Sequence, residues 1–231
     1  NGEDVASKLK ILTALAFNSF INNKYILIEG IKNIDQVDIN NANNLGYKIK
    51  LVGVAELTKN KIIQRVHPAF IKNNSYIAKI DSVLNAVIVE SSPVGKTVLQ
   101  GEGAGPGPTT SSLISDLCSV LRGNVKFPFV LSNKKRKFAN FESINNKRFS
   151  VYLRLDVKDE HGILSDITKV LAKNKVSVKR LIQNPTMNKK NASIIIITHE
   201  AYSSSFTNTL LSLKKKNYIV NNPKIIRIEK I

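Results

Sequence analysis

Residues 149–183 have the sequence FSVYLRLDVKDEHGILSDITKVLAKNKVSVKRLIQ, in which the hydrophobic period changes twice. Phe149–Leu155 alternates apolar and polar side chains as a strand does, Ile163–Lys173 repeats them at helical spacing, and Val176–Ile182 alternates again. The turn before the helix contains Gly162. This stretch therefore predicts a strand, a helix and a second strand in succession.

The remaining C-terminal residues extend the pattern to a complete domain. They predict a strand at Ala192–Thr198, a helix at Tyr202–Lys214 and a last strand at Lys224–Ile228. The resulting order, βαββαβ, is the ferredoxin-like split βαβ arrangement. We predict this domain over residues 149–231, after a polar and basic linker at 132–148.

Residues 1–131 predict a different unit, which mixes long strands with helices and repeats nothing of the C-terminal domain. Its predicted elements are a helix near the start, a strand at Tyr25–Ile31, a helix closed by Gly46, strands at 47–57, 61–70, 84–92 and Lys96–Leu99, and a helix at Thr109–Leu121. The predicted fold class is α+β, a mixed sheet with helices on one face, followed by the βαββαβ domain.

Composition limits the functional classes. The chain has 231 residues and 42% hydrophobic content, which is enough for one or two cores. The net charge of +18 would favour nucleic-acid binding, but the lysines are dispersed, Trp is absent and the aromatic residues do not interleave with basic ones. We therefore expect no nucleic-acid partner.

Three further features of the sequence concern localisation and metal binding. No apolar run approaches the ~20 residues that a membrane span requires, so no membrane association is expected. A single cysteine, Cys118, allows neither an internal disulfide nor a thiolate metal cluster. His67 and His199 have no partners at metal-ligand spacing. We expect a cytoplasmic protein without a metal.

The first helix begins within NGEDVASKLKIL (residues 1–12), where Asp4 precedes Lys8 by one turn. A surface ion pair at this spacing contributes only about 0.2–0.5 kcal/mol and belongs on a polar face. Here the pair falls on a broad apolar arc formed by Val5, Leu9, Ile11, Leu12, Leu15, Ala16 and Phe20. Geometry leaves two interpretations open: an N-cap with a lysine reaching over an apolar edge, or part of an active site.

A second candidate site is the loop GEGAGPGPTT (residues 101–110), which precedes a helix. Gly101, Gly103 and Gly105 allow positive φ and a close approach of a ligand, and the helix N-terminus offers N–H groups. Pro106 breaks the dinucleotide fingerprint G-x-G-x-x-G. A plain turn and a ligand-binding loop both remain possible.

Five segments taken in order, GEDVASKLKILTALAF, IEGI, NNLGYKIKLVGVAEL, LNAVIVESS and GEGAGPGPTTSSLISDL, resemble the catalytic domain of homoserine dehydrogenase over about the first 125 residues. The resemblance implies the reversible oxidation of L-homoserine to L-aspartate 4-semialdehyde with NAD or NADP. It implies that Lys8 transfers the hydroxyl proton, that Asp4 helps to hold the substrate, and that Gly103 and Gly105 bind the cofactor, with Gly105 at its nicotinamide end.

The sequence also departs from that family. A Rossmann domain and a substrate-binding glutamate, which family members carry upstream, are absent, and the chain has no initiating Met. We therefore expect a fragment of a longer enzyme that is inactive alone. The residues that select NAD or NADP would lie in the absent domain.

Residues 149–231 resemble an ACT domain, a regulatory module that binds amino acids. The resemblance implies an effector site at Asp159, Gly162 and Ile163, with threonine as the expected effector, and pairing into a homodimer or homotetramer. His161 is expected to be a solvent-facing loop residue. Two other functional classes remain open: a non-catalytic amino-acid sensor whose first part is a dimerisation platform, and a basic RNA-binding protein.

Overall fold

The computed structural model describes residues 1–20, 25–124, 140–185 and 190–231. Its helices and strands follow the predicted order, and the mixed α+β class is confirmed. They are α1 (Glu3–Phe17), β1 (Ile26–Ile28), α2 (Gln36–Asn44), β2 (Tyr47–Thr58), β3 (Lys61–Lys72), β4 (Leu84–Ser91), β5 (Gly95–Glu102), α3 (Pro106–Leu121), β6 (Asn140–Phe141), β7 (Arg148–Lys158), α4 (Ile163–Lys173), β8 (Val178–Pro185), β9 (Asn191–Thr198), β10 (Ala201–Tyr202), α5 (Ser203–Lys214) and β11 (Lys224–Glu229).

Several boundaries differ from the prediction, and two of the differences have a clear physical reason. The strand predicted at Tyr25–Ile31 is shorter, because β1 pairs with β3 only over Ile26–Ile28. Helix α3 begins at Pro106 rather than Thr109, since proline is well suited to a first helical turn, where its missing N–H is not needed.

The long hairpin of β2 and β3 is the centre of the molecule. Its two-residue turn, Lys59 and Asn60, has positive φ at both positions, which matches the twist of antiparallel strands. All residues of β3 except its two terminal ones are buried. Strand β3 pairs with β2 along its whole length and with β6, β1 and β11 over short segments.

One nine-stranded sheet joins the two parts of the chain. Its strand order is β1-β3-β11-β7-β9-β8, with β2 and β6 also on β3, and β10 on β7. Strand β11 is the last strand of the βαββαβ unit, and it pairs in parallel with Ala69–Ile71 of β3. Within the segment predicted as a linker, β6 pairs with Lys61 and Ile62. Residues 132–139 of that segment lie outside the described residues.

Helices cover both faces of this sheet. Helices α1 and α2 lie over the face to which Val66, Phe70 and Tyr152 point. Helices α4 and α5 cover the opposite face of the C-terminal strands, where Val151 and Leu153 belong to the largest core cluster. Side chains alternate along a strand, so each buried strand contributes to two cores.

The hairpin of β4 and β5 forms a separate two-stranded sheet, followed by α3. Helix α3 buries none of its residues, and its large apolar side chains are more than half exposed: Leu113, Ile114, Leu117, Val120 and Leu121. The sequence interpretation had placed these strands in the main sheet layer. They stand apart from it, because β4 pairs only with β5 within the described strands. No helix of the described residues is long and apolar enough to cross a membrane.

Candidate active site

Helix α1 begins where the chain passes very close to the sheet. Gly2 precedes the helix with φ +88°, and a Cβ at this position would lie 3.2 Å from Ile28 and 3.3 Å from Val66. The helix then packs through small or medium side chains, with Ala6, Leu9, Thr13 and Ala14 buried. Gly53 of β2 permits this close approach, since a Cβ there would lie 3.0 Å from Val5.

This packing leaves Asp4 and Lys8 on the exposed side of α1 and excludes one interpretation, that of Asp4 as the N-cap. The two side chains form an ion pair, with 2.8 Å between Lys8 Nζ and Asp4 Oδ2, but they are 65% and 78% exposed, for Lys8 and Asp4 respectively. The apolar arc is divided, since Leu9 is buried against the sheet whereas Ile11, Leu12 and Leu15 are exposed. Asp4 is not the N-cap, a position that Gly2 occupies without a side-chain hydrogen bond. Its carboxylate lies in the first turn, where the helix dipole favours a negative charge.

The ion pair lies on the same side of α1 as an apolar patch. Ile11, Leu12 and Leu15 are 50%, 40% and 43% exposed, and they follow Lys8 at intervals of three, four and seven residues. Exposed apolar patches next to polar groups mark surfaces that bind a ligand or another protein surface. The exposed face of α1 therefore combines charged and apolar side chains, as a ligand-binding surface does.

On its buried side, α1 is fixed by a polar contact. Gln64 of β3 donates from Nε2 to Thr13 Oγ1 at 2.7 Å, and Thr13 Oγ1 donates to the Leu9 carbonyl oxygen at 2.7 Å. Both Thr13 and Gln64 are 2% exposed. The Oε1 atom of Gln64 is buried and has no hydrogen-bond partner among the described residues.

In the glycine loop, one of the two glycines predicted to bind the cofactor has free space beside its backbone. Gly105 has φ +116° at the N-terminus of α3, and only Pro108 Cδ, at 3.8 Å, would lie near a Cβ there. The neighbouring glycine differs, because the amide nitrogen of Asn85 lies 1.5 Å from the position of a Cβ on Gly103. Asn85 therefore accounts for the glycine at 103, whereas at Gly105 the space is free for a ligand.

The two predicted parts of the site are not brought together. Helix α1 packs on β1, β2 and β3, whereas α3 has no extensive packing partner among the described elements. Neither of the two cavities described, each of about 300 Å³, is lined by Asp4, Lys8 or Gly105. No cluster of three metal-ligating side chains occurs in the described part of the chain.

The predicted effector turn joins β7 to α4. Gly162 precedes α4 with φ +85°, and a Cβ there would meet nothing within 4 Å. Asp159 is exposed; its N–H donates to the Lys190 carbonyl oxygen at 2.9 Å. Ile163 is 8% exposed and belongs to the C-terminal core, so only its backbone is placed to meet a ligand.

A buried ionic cluster that sequence reasoning missed links the two parts of the chain. Arg65 of β3 donates two hydrogen bonds to Glu229 of β11, at 2.7 and 2.9 Å, and a third to Glu56 at 2.6 Å. His67 Nε2 lies 3.0 Å from the Glu229 carboxylate. The guanidinium of Arg65 also lies 5.4 Å from the centre of the Phe149 ring. A polar pair, Gln64–Arg65, within a 12-residue apolar strand was the available sequence signal.

Charge distribution in this cluster controls the ionisation of Glu229. Burial alone would raise the pKa of the Glu229 carboxyl, but hydrogen bonds from His67 and Arg65 and the charge of Arg65 outweigh it and lower the pKa to about 2. The pKa of Glu56 is also lowered: burial opposes the shift, and Arg65 and Lys147 cause it. The carboxyl groups of Glu229 and Glu56 are therefore ionised at neutral pH.

A second buried cluster joins α2 to β7. Arg154 donates to Asp38 at 2.8 Å and to Asp35 at 2.6 Å, and Tyr152 donates from its hydroxyl to Asp38 at 3.0 Å. Asp38 is fully buried. Burial lowers the pKa of Arg154, but the hydrogen bond and charge of Asp38 outweigh it and raise the pKa. Asp35 also caps α2 by accepting from the Asp38 N–H at 3.0 Å.

Comparison with known proteins agrees with this architecture. A homoserine dehydrogenase of Helicobacter pylori is 36% identical over 228 residues, which are 99% of this chain and 54% of that protein. One from Neisseria gonorrhoeae is 33% identical over 236 residues, 100% of this chain and 54% of that protein. The crystal structure of a homoserine dehydrogenase from Thiobacillus denitrificans superposes with a TM-score of 0.88 at 32% identity, over 99% of this chain and 53% of that one.

Two family models match separate parts of the sequence. The ACT domain model matches residues 151–201, and the homoserine dehydrogenase model matches residues 1–118. The chain spans about half the length of the relatives it matches. On the basis of the model that covers the first half of its sequence, the chain belongs to the homoserine dehydrogenase family and carries an ACT domain after the family's catalytic region.

Proposed function

We propose that this chain supplies the substrate side of a homoserine dehydrogenase, which interconverts L-homoserine and L-aspartate 4-semialdehyde in threonine and methionine biosynthesis. The observation that carries the proposal is the exposed Asp4–Lys8 pair, beside the uncovered apolar side chains of Ile11, Leu12 and Leu15. Charged side chains next to an exposed apolar patch are typical of a surface that binds a ligand or another protein. Family membership favours this enzyme over a non-catalytic sensor.

In the proposed reaction, Lys8 moves the proton of the substrate hydroxyl. In the reducing direction, Lys8 donates a proton to the aldehyde oxygen of aspartate semialdehyde as its carbon receives a hydride. Oxidation of homoserine reverses both transfers. Asp4, one helical turn away, helps to hold the substrate in place.

The cofactor is NAD or NADP, and when bound it donates or accepts the hydride. The residues present fit such a group at one end of the glycine loop. Gly105 offers an open backbone at positive φ, which a side chain would block. We assign Gly105 to the nicotinamide end. The contact of Gly103 with the cofactor stays a prediction. Asn85 already fills the space beside Gly103, so the geometry adds no support for this contact.

Regulation and assembly belong to the same proposal. We infer that the ACT domain binds an amino acid, with threonine as the expected effector, at Asp159, Gly162 and the backbone of Ile163. The first turn of α4 has N–H groups available for a carboxylate, and Gly162 leaves that end open. The exposed apolar face of α3 and the edge strand β8, which pairs only with β9 among the described strands, favour a homodimer or homotetramer.

Replacement of Lys8 tests the catalytic assignment. In the complete enzyme, Lys8→Ala should lower turnover by about 10²–10⁴, the usual contribution of a positioned acid or base. Lys10→Ala, two residues along the same helix, is the matched control and should leave turnover unchanged. If Lys8→Ala keeps more than about a third of the wild-type turnover, Lys8 is not the proton-transfer group.

A further inference from the structure

The side chain of Lys8 points to solvent, but its direction depends on how α1 is rotated about its own axis. Thr13 follows five residues later, about 140° around the helix, on the side that faces the sheet. Side-chain heads lie about 5–6 Å from a helix axis, so a rotation of about 20° displaces them by roughly 2 Å. A group that transfers a proton cannot tolerate such a displacement.

Most contacts that hold α1 are apolar and do not specify this rotation. Ala6 and Leu9 pack on Val66, with Val5 and Leu51 beside them. Apolar contacts are non-directional, and small side chains fit a sheet in several rotational settings. Packing therefore holds α1 against the sheet without fixing the direction of Lys8.

The contact between Gln64 and Thr13 is directional. Within the part of the chain that the structure describes, it is the one side-chain hydrogen bond recorded between α1 and the sheet. It is 2.7 Å long and fully buried, so water does not compete for it. Because Thr13 Oγ1 also donates to the Leu9 carbonyl oxygen, the hydroxyl is held on both sides.

The strand that carries Gln64 is itself firmly held. Neighbouring residues of a strand point to opposite faces, so Gln64 contacts α1 while Arg65 reaches Glu229 on the other face. Strand β3 also pairs with β2 along its whole length. Gln64 therefore belongs to the most buried strand of the shared sheet. Its side chain is a fixed point to which α1 is hydrogen-bonded.

We propose that Gln64 is a positioning residue for the catalytic helix and that, through Thr13, it fixes the rotation of α1 and so the direction of Lys8. This inference rests on the proposed role of Lys8. It assigns Gln64 and Thr13 no contact with substrate or cofactor.

The test separates positioning from stability by using three variants of the complete enzyme. Thr13→Val keeps the shape of residue 13 but leaves the buried Gln64 amide unpaired, so it should lower the melting temperature. The double variant Thr13→Val/Gln64→Met removes both polar partners, which restores stability because no buried polar group remains unsatisfied. Thr209→Val is the matched control, since Thr209 is a buried threonine whose hydroxyl bonds only within its own helix, to the Ser205 carbonyl oxygen.

The double variant is expected to melt near the wild-type temperature but to show kcat lowered by about 10- to 100-fold, as a misplacement of about 1 Å implies. The KM for the cofactor should not change, whereas Thr209→Val should keep the wild-type kcat. If the double variant retains kcat within about twofold while Lys8→Ala abolishes turnover, the positioning role is wrong and the proposed function stands. If Lys8→Ala itself retains turnover, the proposed function fails first.

Discussion

Arg65 and Glu229 are separated by 164 positions in the sequence, yet they form a two-point ion pair in the interior of one sheet. Arg65 belongs to the homoserine dehydrogenase region, and Glu229 belongs to the last strand of the C-terminal unit. The pair therefore joins the region that matches the homoserine dehydrogenase model to the last strand of the C-terminal unit by direct contact. A buried pair of this kind stabilises only while both partners are present and charged.

Acid should break this connection within a defined pH range. The folded-state pKa of Glu229 is about 2, compared with an ordinary value of 4.5, so its stabilising contribution is complete above about pH 4.5 and is lost as the pH falls toward 2. The shift corresponds to roughly 3 kcal/mol. Unfolding by denaturant at a series of pH values should show this loss for the wild type.

Glu229→Gln should be less stable at neutral pH and should show a smaller acid-dependent loss, because it cannot be protonated. Glu90→Gln, at an exposed position of β4, is the control and should retain the wild-type pH profile. Equal acid dependence in Glu229→Gln and the wild type would mean that other carboxylates dominate.

The second cluster predicts a strongly non-additive pair of substitutions. Arg154→Leu leaves the fully buried Asp38 carboxylate without its cation and should lower the free energy of unfolding by about 3–5 kcal/mol. The double variant Arg154→Leu/Asp38→Leu should recover a large part of this loss, because no unpaired buried charge remains. Chemical denaturation measures both. A double variant that loses the sum of the two single effects would contradict the prediction.

Gly105→Val should weaken cofactor binding in the complete enzyme without unfolding the chain. Valine resists φ +116°, and its side chain would fill the open space beside the loop. Because the side chain occupies space that the cofactor would use, the Kd for NAD(P)H should rise by about tenfold or more, which corresponds to about 1.4 kcal/mol. Gly107→Ala, in the first turn of α3 with free space around it, should bind normally. Fluorescence titration with NADH and with NADPH measures the effect, and an unchanged Kd for Gly105→Val would remove Gly105 from the site.

Threonine should bind the 231-residue chain near Gly162. We expect calorimetric titration to give measurable heat at millimolar threonine, and we expect Gly162→Val to abolish it, since the branched side chain would block the N-terminus of α4. Gly123→Val is a control at another glycine of positive φ, at the C-terminal end of α3. Absence of heat with threonine and with other amino acids of the aspartate family, from a folded wild-type chain, would mean that the ACT domain is structural here.

The helices and strands were predicted from the sequence far better than the pairing of the strands and the packing of the helices. The period changes around Gly162 located β7, α4 and β8 because local propensity and patterning agree there. The pairing of β11 with β3 could not be predicted, since strand pairing across a long separation leaves no periodic signal in one sequence. The rotation of α1 was not predicted either, because its apolar side chains occupy a broad arc and only part of that arc, with Ala6, Leu9 and Ala14, faces the sheet.

The shared sheet also has a consequence for biosynthesis. Residues 61–72 leave the ribosome long before residues 224–229, so β3 waits about ten to thirty seconds for β11 at ordinary rates of translation. During this interval a segment of the most buried strand has no partner on one edge, and such edges pair readily with other nascent chains. Messages truncated before the codon of Lys224 should therefore yield aggregated protein, even though residues 1–118, which match the homoserine dehydrogenase model, have been translated.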